Sequence, residues 1–106
     1  MDNKILNIGL GMALEFGENW LQPIQDRLRI KLPKLTKSEL DKYDNICRDT
    51  MEAGQDSIYK ICEKGDKPTF KEWKEQFLIS FPWVDERNLK SIFNQGLYYA
   101  WKDGLA

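Results

Sequence analysis

One stretch, Thr36 to Lys64, leaves this chain few choices of fold. Thr36 with Glu39 three residues on has the capping-box spacing, in which each side chain satisfies a backbone N–H that the first helical turn leaves free. Leu35 and Leu40 stand at the two positions of a hydrophobic staple. Leu40, Tyr43, Cys47, Met51, Gly54, Ile58, Ile61 and Cys62 then follow in steps that hold one face of a helix. Asp49, Glu52, Asp56 and Glu63 fall on the opposite face. Gly65 stands where a left-handed C-cap belongs, and Pro68 blocks continuation. At 1.5 Å per residue such a helix is roughly 40 Å long. That is the length of a small domain, so the other segments must lie along its apolar stripe.

Those segments read as shorter helices. Ile5, Ile8, Met12, Phe16 and Trp20 keep helical spacing, with Ala13 on the same stripe, although Gly9, Gly11 and Gly17 each weaken a helix by about 1 kcal/mol relative to alanine. A break is expected between Gly17 and Pro23, then helix to Leu28. Residues 27–32, Arg-Leu-Arg-Ile-Lys-Leu, alternate strictly, which is a strand signal. No second segment offers a partner strand, so they read as a helix end running into an extended connector that stops at Pro33. Thr69 and Glu72 open a third helix with a second capping-box spacing, and Phe70, Trp73, Phe77, Leu78 and Phe81 give it an aromatic face that ends at Pro82. Asp85 caps the last helix, with Val84 and Leu89 placed as a staple. Its inner stripe is Leu89, Ile92, Phe93, Gly96 and Ala100, and Gly104 marks its end. Gly54 and Gly96 on inner stripes permit close helix approach. The expected fold is all-α: a compact bundle of four or five helices around the long one at 36–64. It forms a single domain over residues 1–106, with residues 1–10 either flexible or used in assembly.

A chain of 106 residues can build one core without metals or disulfides. With 16 basic and 17 acidic residues, its net charge of -1 argues against a dedicated binder of nucleic acid or anionic membrane. No run is long and apolar enough to span a bilayer. Ile5 to Leu14 after Lys4 faintly resembles a signal peptide. Asp2, Asn7 and the lack of a small-residue cleavage site argue against one, and a cytoplasmic location is expected. Cys47 and Cys62 lie on the same long helix, roughly 22 Å apart along its axis, far beyond disulfide reach. They read as two small buried residues of a reducing compartment.

The sequence contains no histidine. That removes Ser-His and Cys-His nucleophile activation, imidazole general bases and histidine-based zinc or di-iron sites. An inward-facing cysteine should be a poor nucleophile. Asp49, Glu52 and Asp56 share a helix face but match no calcium loop, and Lys60 offers Asp56 a helix pair, so they read as a solvated ridge. Gly9-Leu10-Gly11 lacks the rest of a phosphate-binding loop. No metal, cofactor or catalytic residue is implied.

Two groups remain as contact candidates. Arg27, Arg29, Lys31, Lys34 and Lys37 form the most basic stretch, with no acid among residues 27–37. If residues 27–32 are extended, the first three share one side and could meet phosphates. The plainer reading is that they neutralise acidic neighbours. Tyr98 projects opposite the inner stripe of the last helix, Trp101 lies to one side of it, and Trp83 sits in the connector before it. Tyrosine and tryptophan outside a core are the types that carry interface energy. The competing explanation is that the last helix is packed on more than one side. The favoured expectation is therefore a non-catalytic protein–protein interaction or assembly domain, with a homodimer as one form and nucleic acid an improbable partner. The alternatives are a polyanion binder through residues 27–37, or a small-ligand protein or enzyme with a pocket built from Glu15 or Glu18 beside Phe16 and Trp20.

Overall fold

The computed structural model describes residues 1–15 and 22–105. Within them the chain forms five helices: α1 (Asn3–Ala13), α2 (Gln25–Lys31), α3 (Lys37–Glu63), α4 (Phe70–Ser80) and α5 (Glu86–Lys102). There is no strand among the described residues. Phe16, Glu18 and Trp20 lie outside them, as do residues 17–21 of the break expected between Gly17 and Pro23; its last two residues, Gln22 and Pro23, are not helical. α3 is the frame: its 27 residues run along the 46 Å long axis, and its largest interfaces are with α5 and α1.

The ends of α3 form as the sequence requires. The Thr36 hydroxyl accepts from the Glu39 N–H at 3.1 Å, and the Thr36 N–H donates to Glu39 Oε1 at 3.0 Å. The Thr36 N–H holds the Glu39 carboxyl below its ordinary pKa, and the nearby Thr36 hydroxyl adds to this. At the other end Gly65 adopts φ 85°, and its N–H reaches the Cys62 carbonyl while that of Asp66 reaches Ile61. This pair of bonds is a Schellman motif. Gly104, at φ 79°, closes α5 in the same way, with Gly104 and Leu105 bonded back to Trp101 and Ala100. Thr69 accepts from the Glu72 N–H at 3.3 Å, one half of a capping box.

Three helices run parallel and share the core. Ile92 of α5 lies over Gly54 of α3, and Ile58 of α3 lies over Gly96 of α5, so numbering rises together along both. Asn7 meets Asn88 and Leu14 meets Gln95, which sets α1 parallel to α5. α2 and α4 are the return segments of an up-and-down path. At the α3–α5 crossing each glycine is a socket for the opposite isoleucine. A Cβ on Gly54 would lie 2.4 Å from Ile92 Cγ2, and one on Gly96 would lie 2.8 Å from Ile58 Cβ. Absence of a side chain is what lets the two backbones approach so closely.

Two expectations are corrected. First, α1 does not centre on Ile5, Ile8 and Met12, which are half-buried. Its buried face is Leu6, Gly9, Leu10 and Ala13, with Gly9 seated against Cys47 and Ile24. Gly9 weakens the helix locally, yet its lack of a side chain makes room for α3: a Cβ there would lie 2.9 Å from Cys47 Sγ. Residues 3–10 are thus part of the packed bundle. Second, residues 27–31 are helical rather than extended. Leu28 is buried while Ile30 stands 84% exposed. The Asp44 carboxylate, itself buried, accepts from the Ile24 N–H at 3.3 Å and so anchors the start of α2.

Polar side chains inside the bundle join its elements. Asn7 Nδ2 donates to the Trp83 carbonyl at 2.8 Å, and Asn7 Oδ1 accepts from the Asp85 N–H at 2.9 Å and from Asn88 Nδ2 at 3.0 Å. Gln95 Nε2 donates to the Leu14 carbonyl at 2.6 Å, and its Oε1 accepts from Gln55 at 2.7 Å. Such pairing is what makes burial of an amide tolerable.

Candidate contact surfaces

The C-terminal half of α5 carries the exposed aromatic residues singled out above. Ala100, Gly96, Ile92 and Leu89 take the inner positions, all buried. Successive residues turn by about 100° on a helix, which carries Tyr98 and Trp101 away from that stripe. Trp101 is 65% exposed and Tyr98 47%. Their ring centroids are 6.2 Å apart, inclined at 37°, and Tyr99 meets Tyr98 edge-on at 5.6 Å. The rings therefore form one aromatic patch. Beside it the Tyr59 hydroxyl of α3 donates to Asp103 Oδ2 at 2.7 Å, and this bond raises the Tyr59 pKa and fixes the end of α5 to α3.

Trp83 does not belong to this patch. It precedes α5, roughly 25 Å along the helix axis from Trp101. It is half-buried, packed against the core, and its carbonyl is taken by Asn7.

The basic segment is not one-sided, because it is helical. Arg27 and Lys31 are four residues apart and share a face, whereas Arg29 points elsewhere. Arg27 turns back onto α1, donating to Glu15 Oε2 at 3.0 Å and to the Met12 carbonyl at 3.2 Å. Lys31 lines a cleft of about 430 Å³ together with Lys4, Glu15, Asp85 and Arg87. Lys34 lies in the turn before α3, and Lys37 is its first residue, both exposed. The five cations thus spread over three elements.

Neither cysteine is placed for nucleophilic work. Cys47 and Cys62 are both buried and unpaired with one another. Cys47 Sγ donates to the Leu6 carbonyl at 3.3 Å, and burial, with Asp44 adding to it, pushes its thiol up to about 12. Raised pKa means the native protein keeps this proton: the associated stability is full below the ordinary thiol value near 9.0 and falls as pH rises from there towards 12. The slope is about 1.4 kcal/mol per pH unit. Native alkylation with iodoacetamide at pH 8 should therefore leave Cys47 unmodified, while denatured protein is modified fully. Peptide mass spectrometry separates the two, and rapid native modification of Cys47 would contradict the burial.

Apart from the buried Asp44, the acidic ridge of α3 stays on its outer face. Asp49, Glu52 and Asp56 are exposed, and Asp56 pairs with Lys60 at 3.0 Å. Among the described residues no group of acids and cysteines is arranged to hold a metal ion, and no helix is long and apolar enough to cross a membrane. Of the pocket expected near Phe16, Trp20 and Glu18, only Glu15 is described, and it serves Arg27. A larger groove of about 830 Å³ lies elsewhere, between α3 and α4.

Sequence pattern missed Asn7, Asp44, Asn88 and Gln95. A signal for part of this set was present: Asn88, Ile92 and Gln95 are spaced four and three apart, which makes a second buried face beside the apolar stripe of α5. No protein-family model, no curated protein and no solved structure matches this chain.

Proposed function

We propose that this chain is a small, non-catalytic helical domain that binds a protein partner, or a second copy of itself, through the aromatic end of α5. The observation that carries this reading is the exposure of Trp101 and Tyr98 as adjacent rings on a helix whose opposite face is fully buried. Exposed rings of this size are the residue types that dominate binding energy, since each brings a large apolar area at low entropic cost. An interface of standard size buries about 1,200–2,000 Å² in total, so neighbouring surface of α3 and α5 would contribute as well. The lack of histidine, together with a Cys47 thiol held protonated and buried, supports a non-catalytic role. Two buried free thiols suit the reducing environment of the cytoplasm.

The test is affinity capture from native cytosol with the wild type and Trp101→Ala side by side. Truncating a central hot-spot tryptophan costs about 2 kcal/mol or more of binding, which is at least a thirty-fold loss of affinity at ~1.4 kcal/mol per factor of ten. Equal recovery of the same partners by both proteins would remove this surface from consideration.

A further inference from the structure

The cleft that Lys31 lines, over α1 and beside the first turn of α5, holds a polar atom that the fold leaves without a partner. Asn88 is 4% exposed, and its neighbours dictate how its amide is turned. The Asp85 N–H can only donate and the Trp83 carbonyl can only accept, so Asn7 must offer Oδ1 to the first and Nδ2 to the second. Asn88 must then turn its own Nδ2 toward Asn7, where it donates to the Asn7 carbonyl at 2.9 Å and to Oδ1 at 3.0 Å. Its Oδ1 is left on the other side and accepts no hydrogen bond among the described residues. That oxygen is not sealed in the core. It opens into the cleft beside Gly11, 3.5 Å from where a Cβ of that residue would stand. Buried polar atoms are nearly always partnered, so this acceptor is one that an occupant of the cleft would satisfy.

Three cations line the same cleft from three helices: Lys4 of α1, Lys31 of α2 and Arg87 of α5. None forms an ion pair or a side-chain hydrogen bond among the described residues. The two carboxylates at the cleft are already engaged. Glu15 takes Arg27 at 3.0 Å, and Asp85 Oδ1 caps α5 by accepting from the Asn88 N–H at 2.9 Å. With Arg27 counted, four cations meet two acids. Ile8 and Met12, both half-buried, add an apolar lining.

We propose that this cleft binds a small organic phosphate monoester that also carries a hydroxyl or amine donor, as sugar phosphates and nucleoside monophosphates do. The phosphate follows from the cations. A tetrahedral phosphate offers three terminal oxygens and close to two charges, so cations arriving from three helices can each take an oxygen. A carboxylate has one charge and two oxygens. The donor follows from Asn88 Oδ1, which a phosphate oxygen cannot serve and an O–H or N–H can. The organic body follows from the spacing. Lys4 and Gly11 are seven residues apart, about 10 Å along α1, with Ile8 between them, so charge and donor are held best by one molecule with a body to lie on that lining. A cleft of about 430 Å³ is of the size small ligands use. Arg87 stands fourteen residues before Trp101, about 21 Å along α5, so this site and the aromatic end of α5 can each fail without the other.

The experiment titrates the full chain, isotope-labelled, with ribose-5-phosphate, glucose-6-phosphate and AMP. Methyl phosphate serves as the anion without a donor, and ribose as the donor without the charge. At millimolar concentration at least one of the three esters should shift the amides of Ile8, Gly11 and Asn88 while those of Tyr98 and Trp101 stay in place. It should bind about five-fold or more tighter than methyl phosphate, the worth of one hydrogen bond to Oδ1, and ribose should not bind. AMP ahead of the two sugar phosphates supports a nucleotide, and the reverse order a sugar phosphate. Gly11→Ala separates the donor from the charge. Its Cβ would make ordinary contact with Asn88 Oδ1 and meet nothing else within 4 Å, and alanine favours the helix. This variant should therefore fold, keep its affinity for methyl phosphate and lose the preference for the larger ester, because the methyl group lies against the acceptor. Lys31→Gln/Arg87→Gln, two exposed positions, should weaken every phosphate about ten-fold or more. Five results would each overturn the proposal: no response to any of the three esters, affinity for them equal to that for methyl phosphate, an unchanged preference in Gly11→Ala, unchanged affinity in the double variant, or shifts centred away from the cleft. The comparison of esters on the wild type is independent of any effect the substitutions have on folding.

Discussion

Gly96→Val is expected to lower the stability of this protein by about 2–3 kcal/mol, the upper range for overpacking a close-packed site. The new Cβ would arrive 2.8 Å from both Cβ and Cδ1 of Ile58, before the two methyl groups are added. Ile58 is β-branched and held by α3, so its Cβ cannot retreat unless the helix moves. Valine's better helix propensity returns less than about 1 kcal/mol, too little to offset the clash. For a domain of this size the midpoint should fall by roughly 10–20 °C, readable by circular dichroism. Gly54→Val should behave alike, because Ile92 occupies the mirror socket. The two substitutions share one crossing, so their effects should not add. An unchanged midpoint for either would mean that α3 and α5 are not in contact as described.

Asn7→Ala is the second large effect, with an expected loss of about 2–3 kcal/mol. Three hydrogen bonds from one side chain tie α1 to the entry of α5, through Trp83, Asp85 and Asn88. A net neutral bond contributes about 1 kcal/mol, and buried partners left unpaired add to the cost. Asn88 is only 4% exposed, so its amide keeps the Asn7 carbonyl but loses the side-chain acceptor. Urea denaturation gives the size of the loss. Hydrogen exchange gives its location: the Asp85 amide and the first turn of α5 should exchange faster while the centre of α3 stays protected. A loss below about 0.5 kcal/mol, the level of an ordinary surface substitution, would show that this clasp is not structural.

Local chemistry made α3, α4 and α5 legible in the sequence. Thr36, Thr69 and Asp85 are the N-caps, Gly65 and Gly104 the left-handed stops, and the glycine sockets at 54 and 96 fall on the stripes where period alone placed them. The N-terminal third was harder for two physical reasons. Six alternating residues satisfy a strand pattern, yet Leu28 and Leu32 are also four apart, and the Asp44 anchor from α3 tips the balance to helix. On α1 the inward face is marked by a glycine, a residue that pattern reading counts as a helix breaker. Its role depends on Cys47, which lies far along the chain. The contact surface was legible only in part. Periodicity turns Tyr98 and Trp101 outward, but it cannot say that Trp83 is half-buried or that the basic residues 27–37 spread over three elements. The α3–α4 groove was not legible at all, because it depends on how the rings of α4 seat against both α3 and α5.

These observations separate α5 into an inner face that folds the protein and an outer aromatic face that we propose binds. The decisive sample is Tyr98→Ala/Trp101→Ala, read for thermal midpoint and for partner capture from native cytosol in the same preparation. Both side chains are exposed, so the midpoint should stay within the shift of a surface change of about 0.5 kcal/mol while the captured partners disappear. Retention of every partner, or a collapse of the midpoint together with capture, would contradict the division of α5 into a folding face and a binding face.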